Sequence, residues 1–156
     1  MKPFRLLAVV AVLVGLTAVL AAGWQAHRSA ERAAARVDAL SAARTRVPDL
    51  LSYDAGTLER DLDRALDQTT GDFADDYRKI LADVVEPTAK SRGITTKASV
   101  SAAGVVSGGT DEVVVLVFLT QTTTATGDRS SVSGSRVEVA MERVDEVWKI
   151  SGLEPV

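Results

Sequence analysis

The chain opens on an unbroken apolar run. From Leu6 to Trp24 nineteen residues pass without a charge, behind Lys2 and Arg5. At 1.5 Å per residue a helix of that length spans about 28 Å, close to the hydrocarbon thickness of a bilayer, and Trp24 stands where an interfacial aromatic belongs. The pattern predicts a transmembrane helix over 6–24, behind a short N-terminal tail, 1–5. A cleaved signal peptide is the rival, given the basic start and the small Ala21-Ala22 pair. The run is longer than a signal's apolar core, however, and the residues beyond Trp24 read as continuing helix, which favours an anchor. Flanking charge leaves orientation open, because Lys2 and Arg5 face Arg28, Arg32, Arg36 and Arg44 across the run.

Residues 25–48 are rich in Ala and Arg and free of Gly and Pro until Pro48. That composition is strongly helical, and it predicts a stalk of about 35 Å. Small or apolar side chains recur at Ala26, Ala30, Ala33, Val37, Leu40 and Val47, a weak 3-4 spacing interrupted by Arg44. Arg28, Arg32 and Arg36 fall at i, i+4, i+8 on one stripe. Such a stripe suits anionic head groups beside a membrane; a solvated face paired with Glu31 and Asp38 is the preferred reading.

Helical periodicity resumes beyond Pro48. In "SYDAGTLERDLDRALDQTTG" Leu58, Leu62, Ala65 and Leu66 share a face, Ser52, Asp54 or Thr57 can cap the start, and Gly71 follows the end. In "GDFADDYRKILADVVEPTAKSRG" the set Phe73, Tyr77, Ile80, Leu81, Val84, Thr88 predicts a second helix, with Asp72 as N-cap and Asp75 and Asp76 in the first turn. Pro87 should kink or end it, and Gly93 closes the region.

From Ile94 the period changes to two. Four segments rich in Val, Ile and Thr, separated by "SGGT", "ATGDRSSVSG" and "DE", predict an antiparallel meander. Val137, Val139 and Met141 alternate with Arg136, Glu138 and Glu142, so the third strand has one buried face. "VVVLVFL" is apolar on both faces, which places the second strand centrally. Two helices must cover the apolar side of so small a sheet. The predicted fold is α+β: anchor, stalk, then two helices packed on a curved four-stranded antiparallel sheet over 49–156.

Composition bounds what such a chain can do. With 156 residues, 46% apolar, and no cysteine, it has room for one modest core and no disulfide, thiolate site or thiol nucleophile. The net charge of −3, without basic-aromatic interleaving, argues against nucleic acid. Between Asp54 and Asp76 eight acids (Asp54, Glu59, Asp61, Asp63, Asp67, Asp72, Asp75, Asp76) stand against Arg60 and Arg64. Neither "DLDRAL" nor "DFADDY" has the alternating ligands and glycine of a calcium loop. The acids are therefore expected to be surface and capping groups opposite the core, and no metal or cofactor is expected. His27 is the only histidine and lies beside the predicted span, a poor ligand or catalyst. If the sheet concavity were open, Val side chains with Phe118 and Trp148 could line a lipid pocket, but strand aromatics are more often plain core.

The segments "LLSYDAGTLERDLDRALDQTTGDFADDYRKIL", "AAGVVS", "VVVLVFLTQTTT" and "VSGSRVEVAMERVDEVWKISGLEPV", behind the anchor, resemble the Mce-associated membrane proteins of actinomycetes over nearly the whole chain. The resemblance implies a single-pass protein of the cytoplasmic membrane whose C-terminal domain, 49–156, lies outside the cytoplasm and is folded as a nuclear-transport-factor-2 or cystatin-like cone. Type IV secretion assembly factors share that plan. It further implies a non-catalytic accessory that stabilises or assembles an Mce-type lipid or sterol importer, with transporter subunits as partners and related accessory proteins as candidates for homo- or hetero-oligomers. A shorter loop after the second strand departs from the family pattern at a partner surface. The alternative is a membrane-tethered lipid-binding carrier, or a cone-fold enzyme using a carboxylate as acid and base.

Overall fold

The computed structural model describes residues 23–127 and 129–156. The predicted span over 6–24 lies outside them except for Gly23 and Trp24; among the described residues no helix is long and apolar enough to cross a membrane. The chain divides into two compact units, Met1–Ala34 and Ala35–Val156.

The second unit begins inside helix α1 (Lys2–Leu51). Ala35, Ala39, Ala43, Val47 and Leu50 are buried, spaced by 4, 4, 4 and 3, and belong to one core with Val113, Val115, Val117, Val139 and Met141 of the sheet. The folded unit therefore starts at Ala35, not at 49, and residues 35–48 are core helix where a stalk was expected. The buried stripe also differs from the predicted one, since Val37 is 66% exposed. Alanine has no bulk beyond Cβ, so the helix can approach the sheet closely. Pro48 lies within the last turn without ending the helix.

Helix α2 (Leu58–Asp67) buries Leu58, Asp61, Leu62 and Ala65. Thr57 takes the N-cap position without a side-chain cap bond. Helix α3 (Gly71–Ile80) starts earlier than predicted. Its N-cap is Thr70, Gly71 opens the helix rather than closing α2, and Asp72 sits in the first turn rather than at the cap. A π-helical turn (Leu81–Val85) then leads into α4 (Glu86–Arg92). Pro87 has no N–H for the carbonyl of Asp83, and the wider turn accommodates that loss without ending the helix. Phe73, Tyr77, Leu81, Val85 and Ala89 consequently face inward at a constant spacing of four, a stripe that a pure α-helix would carry round its axis by about 40° per step. Ile80 and Val84, counted as core from periodicity, are exposed. Gly93 ends α4 at φ 58, where any Cβ would overlap Thr126 Oγ1.

Strands β1 (Thr95–Gly108), β2 (Glu112–Thr124), β3 (Ser131–Val144) and β4 (Val147–Pro155) form one antiparallel sheet in the order β1-β2-β3-β4. The meander and the internal place of β2 agree with the sequence. Asp145 and Glu146, at φ 48 and 64, make the two-residue β3–β4 turn, whose left-handed backbone matches the twist of the strands it joins. Both sheet edges are covered. Ile150 of β4 exchanges hydrogen bonds with Gln68 and Thr70 of the α2–α3 link, and Tyr53 pairs with Thr96 of β1. Further along β1, Arg44 Nη2 donates to Ala103 O at 3.1 Å, and Arg36 donates to Gly108 O through Nε at 3.2 Å and Nη2 at 2.9 Å. Edge carbonyls held by guanidinium groups offer little to a stray strand.

Candidate functional site

The face of the sheet turned away from the helices carries the exposed chemistry. Val113, Val115, Val117 and Leu119 are buried beneath α1, so strand alternation turns Val114, Leu116 and Phe118 outward. Register sets Phe118 between Ala102 of β1 and Arg136 of β3, and Leu116 between Gly104 and Glu138. The small β1 neighbours leave the ring uncovered, and Phe118 is 42% exposed. Beside it opens a groove of about 690 Å³ lined by residues that include Ser101, Gly134, Ser135, Pro155 and Val156. Arg136 forms one wall, its Nε donating to Val156 O at 2.6 Å.

Trp148 is not part of this surface. It lies 6% exposed within the core on the helix side, with the Arg143 guanidinium 5.7 Å from its ring centroid. Phe118 and Trp148 therefore occupy opposite faces, and the pocket imagined between them does not form. Glu138 and Glu142 are half-buried on the outward face.

The acidic stretch separates into one buried group and seven on the surface. Asp61 is 4% exposed, contrary to the expectation that every acid faces away from the core. Its Oδ2 accepts the Asp54 N–H at 3.0 Å and the Thr57 hydroxyl at 2.7 Å, and its Oδ1 lies 3.1 Å from Arg64 Nη1. Burial alone would raise its pKa. The hydrogen bonds from Thr57 and Asp54, with the charges of Arg64 and Arg60, outweigh that effect and hold the carboxyl below its ordinary value. This geometry suits a permanent anion that ties the 54–57 loop to α2. It does not suit a proton donor.

The remaining acids make local pairs or face water. Asp54 accepts from the Gly56 N–H and the Thr95 hydroxyl, Asp75 and Asp76 pair with Arg78 and Lys79, and Glu59 lies 3.5 Å from Lys90. Asp63, Asp67 and Asp72 are exposed. Among the described residues no group of three or more His, Asp or Glu converges as a metal site would. His27 is exposed, its Nε2 3.1 Å from Glu31 Oε1. The Tyr77 hydroxyl, not singled out from the sequence, donates at 2.6 Å to Leu50 O at the C-terminal end of α1, and burial pushes the phenol's pKa up.

A family model described as "Uncharacterized protein Rv1363c/MT1408-like" matches residues 4–156. The chain belongs to that family. Among its relatives is "Outer membrane protein Rv1973" of Mycobacterium tuberculosis, 36% identical over 150 residues that cover 93% of this chain and 94% of that protein. Two solved structures share the fold of this Rv1363c-like chain at low identity. An IcmL-like type IV secretion system protein of Legionella pneumophila is 9% identical, with a TM-score of 0.67, covering 78% of this chain and 91% of its own. The VirB8 protein of Agrobacterium tumefaciens is 14% identical, with a TM-score of 0.62, covering 74% and 88%. The α+β architecture, helices on a four-stranded antiparallel sheet, is thus a recurrent one.

Proposed function

We propose that this protein is a non-catalytic, membrane-anchored accessory subunit that stabilises or assembles an Mce-type lipid or sterol import complex in the cell envelope. The observation that carries the reading is the way the space between sheet and helices is filled. Ala35, Ala39, Ala43, Val47 and Leu50 of α1 pack there against the inner faces of β2 and β3, where a cone-fold enzyme would need a cavity for its substrate. The one buried carboxylate among the described residues, Asp61, is already committed to Thr57, Asp54 and Arg64. What the unit offers to other molecules is its outward sheet face, with Phe118 at the centre and Arg136 and Glu138 beside it. An exposed aromatic beside small β1 residues on one side and Arg136 on the other has the composition of a protein-binding patch.

The family relative named as an outer membrane protein supports an envelope location, and the secretion-system proteins of the same fold offer a precedent by analogy for a role within a larger assembly. Our finer proposal is a single pass through the cytoplasmic membrane over 6–24, with the C-terminal unit outside the cytoplasm. The lipid-carrier alternative draws on the groove beside Phe118. Affinity purification in mild detergent with mass spectrometry distinguishes the two. Transporter subunits should accompany the wild-type protein and be depleted by Phe118→Asp, while the variant keeps its thermal stability. Co-purified lipid without transporter subunits would favour the carrier. An alkaline phosphatase fused after Val156 should be active, and an inactive fusion would overturn the proposed orientation.

A further inference from the structure

The arginine stripe of α1 is split by the fold. Sequence offered Glu31 and Asp38 as its counter-ions, and among the described residues neither is found in an ion pair with it. Glu31 instead lies against His27, 3.1 Å from Oε1 to Nε2, while the field of Asp38 acts on Arg143. Arg36 is taken up by the folded unit, where it holds Gly108 O. Arg28 and Arg32 remain in the N-terminal unit, both exposed and neither in an ion pair among the described residues. The Arg28 guanidinium lies over the Trp24 ring, 3.9 Å from its centroid. Stacking of that kind holds the guanidinium plane in place and leaves N–H donors at its rim for an anion.

The spacing from the apolar run gives these groups a setting. A helical rise places Arg28 about 6 Å and Arg32 about 12 Å beyond Trp24 along the helix. The polar layer of a bilayer is about 5–8 Å thick on each side, and charges act on it over roughly a further 8–10 Å. Trp24 would therefore lie at the hydrocarbon boundary, Arg28 among the phosphates, and Arg32 within electrostatic reach of them.

We propose that Arg28 and Arg32, with Trp24 as the interfacial ring, form a binding site for the head groups of net-anionic phospholipids, whose phosphodiester oxygens accept hydrogen bonds from the two guanidinium groups. The site rests on the membrane-anchor reading. It gives the anchor a lipid preference, so that the protein gathers anionic lipid around its point of entry. At up to about fivefold in local association per basic group near an anionic surface, two arginines give a preference of about tenfold once exposure and salt are allowed for.

The test uses the full chain reconstituted into vesicles of phosphatidylcholine, alone or mixed with phosphatidylglycerol, with spin-labelled phosphatidylglycerol or phosphatidylcholine as the probe. The fraction of motionally restricted label gives the relative association of each lipid with the protein. The anionic probe should be preferred by about tenfold at low salt, and the preference should shrink as salt is added. It should fall in Arg28→Gln/Arg32→Gln to the remainder that Lys2 and Arg5 contribute at the other end of the span, and largely survive in Arg28→Lys/Arg32→Lys. Equal association of the two probes with the wild-type protein, or a preference that is undiminished in the double glutamine variant, would overturn the site. Alkaline carbonate extraction of the same vesicles separates this from the anchor reading. Retained protein without lipid preference removes the site alone, whereas protein stripped from both vesicle types removes site and anchor together.

Discussion

Replacing Asp61 by alanine should be among the most damaging single changes on the helical side of the fold. The carboxylate is the acceptor for the Asp54 N–H and the Thr57 hydroxyl and pairs with Arg64. A hydrogen bond to a charged group contributes about 1.5–3 kcal/mol. The arginine contacts add little, because Arg64 and Arg60 are themselves well exposed. Some rehydration of the freed donors offsets the loss, so the expected cost is about 2–4 kcal/mol, or about 8–15 °C in melting temperature for a unit of this size. Thermal unfolding of the full chain in mild detergent, followed by near-ultraviolet circular dichroism around Trp148, measures it. The pH dependence supplies a second check. Because the folded-state pKa is depressed, the stabilisation is complete above the unfolded carboxyl value, about pH 4, and fades as pH falls through the folded value. The gap between wild type and Asp61→Asn should therefore narrow below about pH 4. A melting temperature within about 2 °C of wild type at pH 7, or a gap that stays constant down to pH 3, would refute the reasoning.

Three further outcomes are expected of the same fold. Asp63→Asn combined with Asp67→Asn should shift the melting temperature by no more than about 2 °C, as exposed groups do, and Asp72→Ala, which removes an anion from the first turn of α3, should cost only about 0.3–1 kcal/mol; millimolar calcium that raised the melting temperature in wild type but not in the double Asn variant would revive a metal role. A flexible Gly-Ser segment inserted at Ala42 should strongly destabilise the domain, because Ala39 and Ala43 on either side are fully buried, and a cooperative melt near the wild-type temperature would show that residues 35–42 of α1 are not core.

The sheet was legible because a strand with one buried face must alternate, and Val137, Val139 and Met141 do so without exception. The role of α1 was hidden by alanine. Ala26, Ala30 and Ala33 suggest one face as readily as Ala35, Ala39 and Ala43 suggest another, and only the sheet beneath decides between them. Asp61 carried a signal that could have been read: it lies three residues after Leu58 and four before Ala65, on the buried stripe, with Thr57 and Arg64 each one turn away. The π-helical turn had its cause in Pro87, but whether a proline kinks, ends or widens a helix depends on the packing that waits on either side. The outward placement of Phe118 results from its position one residue after Val117, once the inner face of β2 is known.

The accessory reading is tested most directly in a strain lacking this protein, by measuring the abundance of the proposed transporter complex and lipid uptake together while complementing with wild type, Phe118→Asp or an amide variant of an exposed carboxylate. Loss of the protein should lower complex abundance and uptake in parallel, wild type should restore both, and Phe118→Asp should restore neither although its unit is folded. Uptake that falls while the complex stays at full abundance and intact composition, with the defect reproduced by a single carboxylate-to-amide change in a stably folded variant, would contradict the reading and assign the protein a chemical step or a lipid-carrying one.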